Sequence, residues 1–386
     1  MNRLESATTR IRDHGLAALL VTTPANAYYL SRFRAEICTL PVVVVVSETP
    51  VLVVPELEEA RARSTSVIGD ILTYSDRQYG RQRGFTHLHL ALAVALEALN
   101  ESGVLGNESG VLGPIGFEAE GLSAEGFFTL RSRIPAQVVP TRGIVEEMRM
   151  VKDAGELELI RAAAELADHG IAAGIAACRP GSTRPEIGAE AAAAMMRAGA
   201  ARHPERHVDA ASRVTFGRDA ARPYATDAGR ALAAGDALVC STVCAVDGYH
   251  AEAERTVLIE TASDDQRRLY DVMLRAASAA RAAILPGVPC LEVDRAAKAV
   301  VVEAGYGPRY THMTGHGLGI ERHELPSLAE GDDTILVPGM AISVGPEICV
   351  EGGDVFRHSD TVVVTGEGCE VLTLHPRHLE ELTTRS

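Results

Sequence analysis

The stretch Thr314-Gly315-His316-Gly317-Leu318-Gly319, continued by Glu321-Arg322-His323-Glu324, sets the reading of this chain. One histidine stands between glycines, and a second follows seven residues later across the glycine-rich segment. An imidazole, with an ordinary pKa of about 6.5, suits proton transfer or metal binding near neutrality. The glycines read as turns. They are not a phosphate loop, because they do not open a helix after a strand in a dinucleotide-binding context. Gly-x-Ser-x-Gly, the nucleophile elbow, does not occur.

Around this motif the chain has 386 residues, enough for two domains, and 46% of them are hydrophobic, which argues against disorder. Its 52 acidic and 37 basic side chains give a formal charge of −15, which repels phosphate backbones and anionic lipid. Nucleic acid and membrane are therefore excluded as expected partners. The longest apolar runs, such as Leu40 to Val46, fall far short of the ~20 residues of a membrane-spanning helix. Arg3, Glu5, Arg10, Arg12 and Asp13 interrupt any apolar leader at the N-terminus, so a cytoplasmic protein is expected. The seven cysteines are odd in number and mostly sit in apolar stretches, as free thiols in a reducing compartment would. Cys240 and Cys244 read as buried filler, with no second Cys/His pair nearby to complete a metal site.

Periodicity predicts helices over 4–16 and 88–99 and strands over 16–22, 42–47, 51–55, 110–118 and 136–139, an α/β N-terminal domain. Two Ala-rich helices follow, over 154–177 and 184–198, and the boundary is placed near Val151, giving domains 1–150 and 151–386. After a polar stretch, 202–230, come strands over 237–245 and 254–260, helices over 265–285 and 290–304, and strands over 341–350 and 361–364. The order suggests a duplicated helix-strand unit, so the fold class is α/β (α+β). The alanine bias is read as helix propensity.

Four stretches together carry a family resemblance: Gly235 to Val239, Asp247-Gly248-Tyr249 through Arg255-Thr256, Thr314 to Glu324, and Leu336-Val337-Pro338-Gly339-Met340. They resemble the pita-bread fold of the M24 family, which includes aminopeptidase P, prolidase, methionine aminopeptidase and the metal-free creatinase. The Met148-Arg149-x-x-Lys152 junction resembles the prolidase and creatinase branch. The resemblance implies a creatinase-like N-terminal domain and a catalytic pita-bread C-terminal domain.

Peptidases of this family hold two divalent metals on two Asp, one His and two Glu. On that pattern the Asp positions carry Ser241 and Glu252, the His is His316, and the Glu positions carry Gly345 and Ser359. A pair of dications needs more anionic charge than this to offset dehydration and mutual repulsion. No dinuclear site and no cofactor are therefore expected. A single metal on Glu252, His316 and Glu347 is the alternative, since Glu347 lies two residues beyond the vacated Gly345 on the same face of a strand.

Glu254-Arg255-Thr256 is similar to the creatinase strand in which Glu contacts a cationic substrate, which implies that Glu254, with Glu252 on the same face, binds a cation. The creatinase general acid/base His is absent: that loop is 217–223, and Tyr224 follows it as a hydrogen-bond donor or general acid. His316 becomes the expected base, with His323 beside it, and His358 as a further imidazole next to Arg357. Ser241, Glu347 and Arg357 complete the substrate contacts, and of Cys240 and Ser241 only one can face the site. In the creatinase branch the partner's N-terminal domain supplies cations for the substrate carboxylate, which implies a homodimer and makes Arg34 the favoured candidate, with Arg77 or Arg81 further on.

The expectation is a metal-independent, creatinase-like hydrolase cleaving a C–N bond in a small zwitterionic amidine, guanidino or amide metabolite. An Xaa-Pro-type peptidase with a residual single-metal site and a catalytically inactive binding protein are the alternatives.

Overall fold

The computed structural model describes residues 2–36, 40–75, 86–104, 113–134, 136–216, 230–350 and 353–384. Tyr224, Arg77 and Arg81 lie outside the described residues. The chain divides into two compact units, Met1–Arg149 and Met150–Ser386.

The N-terminal unit is built on a six-stranded sheet of β1 (Ala18–Val21), β2 (Val43–Val46), β3 (Val51–Pro55), β4 (Asp70–Tyr74), β5 (Ile115–Glu118) and β6 (Val138–Thr141), in the order β4-β3-β2-β1-β5-β6. β1 and β2, and β2 and β3, pair antiparallel, and the other neighbours run parallel. Helix Thr86–Glu101 buries Ala91, Leu92, Ala95, Leu96 and Leu99 in the same core as Val43, Val45 and Val53. Their spacing is that of one helical face.

The C-terminal unit repeats helix pairs followed by strands. Helices Ala154–Ala177 and Arg184–Arg202 precede a three-stranded antiparallel sheet, β7 (Val208–Phe216), β8 (Ala237–Val246) and β9 (Tyr249–Leu258). Helices Asp264–Ala283 and Cys290–Glu303 precede β10 (Gly315–Gly317), β11 (Glu324–Leu328), β12 (Ala341–Val344), β13 (Glu347–Cys349), β14 (Val355–Arg357), β15 (Asp360–Val364) and β16 (Cys369–Val371). Five of these form a sheet in the order β11-β10-β12-β15-β16, and β13 pairs with β14. Asp153 with Glu156 and Ser263 with Gln266 form capping boxes that start the first helix of each pair.

The two sheets meet where β9 runs alongside β15. Glu254 and Ser359 exchange backbone N–H···O bonds of 3.1 Å in both directions, and the Thr361 hydroxyl accepts from Glu252 N at 2.9 Å and donates to Glu252 O at 2.8 Å. Alternation along β9 then sorts its side chains. Glu252 and Glu254 point to one face, and Arg255 points to the other, where it meets Asp360.

Three of the differences from the pattern reading shape the C-terminal unit. The polar stretch contains β7, whose outer residues are exposed, so its apolar signal is weak. β9 begins five residues earlier than expected, because its buried glutamates break the hydrophobic pattern. The strand expected over 341–350 breaks at Gly345-Pro346 into β12 and β13. The first long helix also packs tightly on β8. A Cβ on Gly174 would lie 2.7 Å from Cys240 Sγ, and one on Gly170 would lie 2.9 Å from Thr242 Cγ2, so the helix lies almost directly on β8. Small residues permit that approach.

Cys178, Cys240, Cys244 and Cys290 are buried free thiols, and burial pushes the Cys240 thiol up to about 12. Among the described residues no helix is long and apolar enough to cross a membrane.

Candidate metal centre

β10 is hemmed in by β11 on one side and β12 on the other. A Cβ on Gly315 would come within 2.1 Å of the Ser343 carbonyl, and one on Gly317 within 2.2 Å of the Leu325 carbonyl. These close approaches are why glycines flank His316. Held so, the His316 ring is buried, and its Nδ1 lies 3.0 Å from the Gly317 carbonyl. A carbonyl only accepts, so Nδ1 carries a proton and Nε2 is the ring atom turned toward Glu252. Nε2 is buried without a hydrogen-bond partner and lies 3.4 Å from Glu252 Oε1.

Glu252, 1% exposed, is held by three groups. Ser343 Oγ donates to Oε1 at 2.5 Å, Arg322 Nε donates to Oε2 at 2.7 Å, and His316 faces Oε1. Burial works to raise the Glu252 pKa, but the contacts with His316, Arg322 and Ser343 more than offset it and hold the carboxyl well below the usual range. The His323 ring stacks on His316, with centroids 3.6 Å apart and planes 20° from parallel. Partial burial, then the neighbouring His316, push the His323 pKa down to about 4, so this ring is neutral at pH 7.

The loop bearing Arg322 and His323 is fixed at both ends. His250 N donates to the Gly319 carbonyl at 2.7 Å, Gly319 N donates to the Glu321 carbonyl at 3.0 Å, and Lys152 Nζ donates to Glu324 Oε1 at 2.7 Å in a buried pair.

Beside this cluster Glu254 accepts from Ser241 Oγ at 2.7 Å and pairs with Arg357, Oε2 to Nε, at 2.5 Å. Arg357 Nη1 also lies 3.4 Å from Glu347 Oε2. Burial works to lower the Arg357 pKa, but the three glutamates around it (Glu254, Glu347 and Glu252) raise it, so the guanidinium stays charged. Ser343 and Ser359 share a 2.8 Å hydrogen bond that joins this half of the site to Glu252.

The structure thus brings together Ser241, Glu252, Glu254, His316, His323, Glu347 and Arg357 from the residues expected at the site. Ser241 faces the site and Cys240 faces the helix behind β8. Arg34 belongs to the N-terminal unit, where its carbonyl accepts from Arg61 Nη1 at 2.6 Å. His358 does not join the cluster. It is fully buried, its ring meets Tyr270 edge-on at 5.2 Å, and burial, with Arg255 nearby, holds its pKa well below the ordinary value. Arg322 and Ser343 were missed as site residues. Arg322 stood inside the quoted motif without an assigned role, and nothing local marks Ser343.

The donor set decides which metal arrangement this chain can hold. Ser241 and Ser359 offer hydroxyls already engaged with Glu254 and Ser343, and a Cβ at Gly345 would lie 2.5 Å from Ser359 Cβ. The family's five-ligand pair of metals does not fit these residues. A single cation does: ligand atoms of Glu252, His316 and His323 all lie within 4.8 Å of one another. Two imidazoles and one carboxylate are a common set for one divalent transition metal. Glu347 is not in this group, because the break at Gly345-Pro346 cancels the same-face argument and leaves it on Arg357.

The duplicated helix-pair and strand unit thus carries buried Glu252 and His316 with the exposed His323 beside them, a group of the kind a hydrolase of the metallopeptidase type uses. The chain belongs to metallopeptidase family M24, which matches residues 158–366, and residues 3–151 match the creatinase/prolidase N-terminal domain. It is 26% identical over 381 residues to an Xaa-Pro dipeptidase of Pyrococcus furiosus, covering 98% of this chain and 99% of that one. Among solved structures, an Xaa-Pro dipeptidase from Bacillus anthracis superposes with a TM-score of 0.85 at 26% identity over 99% of both chains. A dipeptidase from Mycobacterium ulcerans gives 0.80 at 28% identity, covering 100% of this chain and 97% of that one.

These findings overturn the metal-independent, creatinase-like expectation. The similar proteins are dipeptidases of a metallopeptidase family, and His323 stands with Glu252 and His316 in a group close enough to hold one cation. Ser241, Gly345 and Ser359 argue against two metals, and that argument does not extend to one.

Proposed function

We propose that the protein is an Xaa-Pro-type dipeptidase working with a single divalent metal on Glu252, His316 and His323. The observation that carries this reading is the convergence of those three side chains in an M24 chain similar over nearly its whole length to an Xaa-Pro dipeptidase. A cation bound there supplies Lewis-acid polarisation of the scissile carbonyl. The protein's own groups do the rest. The Gly317 carbonyl keeps the proton on His316 Nδ1, so Nε2 stays available, and Ser343 holds Glu252 Oε1 toward it. In this reading Glu254, on the same face of β9 as Glu252, takes the proton of the attacking water through an oxygen now held by Ser241 or Arg357. Two carboxylates and one guanidinium give the Glu254–Arg357–Glu347 group a net charge of about −1, which suits the free N-terminal ammonium of a dipeptide.

The reading includes a cytoplasmic homodimer in which Arg34 from the N-terminal unit of a second copy meets the substrate carboxylate. Supporting it is the similarity of residues 3–151 to the creatinase/prolidase N-terminal domain. The test is hydrolysis of Ala-Pro by chelator-treated protein reloaded with Mn²⁺, against Ala-Ala and N-acetyl-Ala-Pro. Metal-restored cleavage of Ala-Pro, lost when the N-terminus is acetylated, is expected; equal rates on all three, or no restored rate, would overturn the reading.

A further inference from the structure

Two arginines touch the buried carboxylates of the site, and they are seated differently. Arg357 is 18% exposed in its side chain and lies between Glu254 and Glu347, so both of its contacts are internal. Arg322 is 44% exposed and reaches from the surface loop to one oxygen of Glu252. The other oxygen of Glu252 accepts from Ser343 and faces His316 Nε2. One side of Glu252 is thus presented to the imidazoles, while its charge is neutralised from the opposite side by a guanidinium that water can reach. The loop backbone is anchored through Gly319 and Glu324, so Arg322 can leave Glu252 by side-chain rotation alone.

We propose that Arg322 is a built-in competitor for the metal. It occupies Glu252 when no cation is bound and gives way when one binds, which sets the affinity of the centre below what two imidazoles and a free carboxylate would reach. The physical reason is electrostatic. A carboxylate shared with a guanidinium has less negative potential to offer a cation, and a guanidinium that stays nearby repels it. The inference rests on the single-metal reading. Arg322 is a tuning residue, outside the ligand set.

The test is calorimetric titration of Mn²⁺ into the full-length chelator-treated protein, its Arg322→Ala and Arg322→Lys variants, and Glu252→Gln, with thermal melting to show that each is folded. Arg322→Ala is expected to lower Kd about tenfold, at the weak end for a hydrogen bond to a charged group because the pair is half exposed. Arg322→Lys, which keeps the charge, is expected to bind like the unaltered protein. The gap should narrow as ionic strength rises and screens the Arg322 charge. Equal or weaker binding by Arg322→Ala, with one Mn²⁺ bound by the unaltered protein, overturns this inference and leaves the single-metal reading standing. Absence of Mn²⁺ binding in every form, or binding that survives Glu252→Gln, overturns that reading and the inference with it.

Discussion

Asp360 sits directly behind the site and is fully buried. It accepts from Arg255 Nη2 at 2.8 Å, Arg377 Nε at 2.8 Å, Arg281 Nη1 at 3.2 Å and Thr373 Oγ1 at 3.1 Å. Arg255, also fully buried, donates from Nη1 to the carbonyls of Glu254 and Ser359, both at 2.9 Å. The pair therefore clamps from behind the strand contact that presents Glu254 and Ser359 to the cleft. Asp360→Asn keeps the shape, removes the charge and leaves Arg255 buried and uncompensated. Breaking a buried pair in this way costs about 3–5 kcal/mol. At ~2–4 °C per kcal/mol for a unit of this size, the melting temperature of the C-terminal unit should fall by roughly 10 °C.

The pH profile gives a second check. The three guanidiniums hold the Asp360 carboxyl well below its ordinary range, against the opposing effect of burial. A depressed carboxylate stabilises the fold above its unfolded pKa, and that contribution is lost as pH falls below ~3.9 toward the folded value. Calorimetry of the Asn variant should therefore show a shallower acid limb below pH ~4 than the unaltered protein. A loss under about 1 kcal/mol, or an unchanged acid limb, would refute the claim that this cluster holds the site from behind.

Two further outcomes follow from packing and burial. Gly174→Val places side-chain carbons where even a Cβ lies 2.7 Å from Cys240 Sγ, so it should cost about 1–3 kcal/mol or more in chemical denaturation. His358 is buried with a pKa far below its ordinary 6.5, so it subtracts stability as pH drops below that value, where the unfolded chain takes up the proton and the folded one does not. His358→Leu should remove that loss, seen as a melting temperature that changes less between pH 6.5 and 5.

Much of the fold was legible because its helices bury regular apolar faces, such as Ala91 to Leu99, and because the strands 42–47 and 51–55 are continuous apolar runs. The weak points were elements whose pattern was overridden. β7 exposes one face, and β9 carries Glu252, Glu254 and Arg255 into the interior, where only tertiary partners make them tolerable. At the site, the Gly-flanked His316 was readable because the motif itself encodes the close approach of three strands. The grouping of Glu252, His316 and His323 was not, because strand alternation favoured Glu347, and the break at Gly345-Pro346 and the stacking of His323 on His316 are three-dimensional facts. Arg322 carried no local signal of its contact with Glu252, a residue 70 positions away.

The central claim, one metal on Glu252, His316 and His323, is tested most directly by anomalous diffraction from crystals soaked in Mn²⁺. The account requires a single anomalous peak in contact with Glu252, His316 Nε2 and His323, with Glu347 still paired to Arg357. Two adjacent peaks, or a peak on Glu254 and Glu347 in place of Arg357, would contradict it.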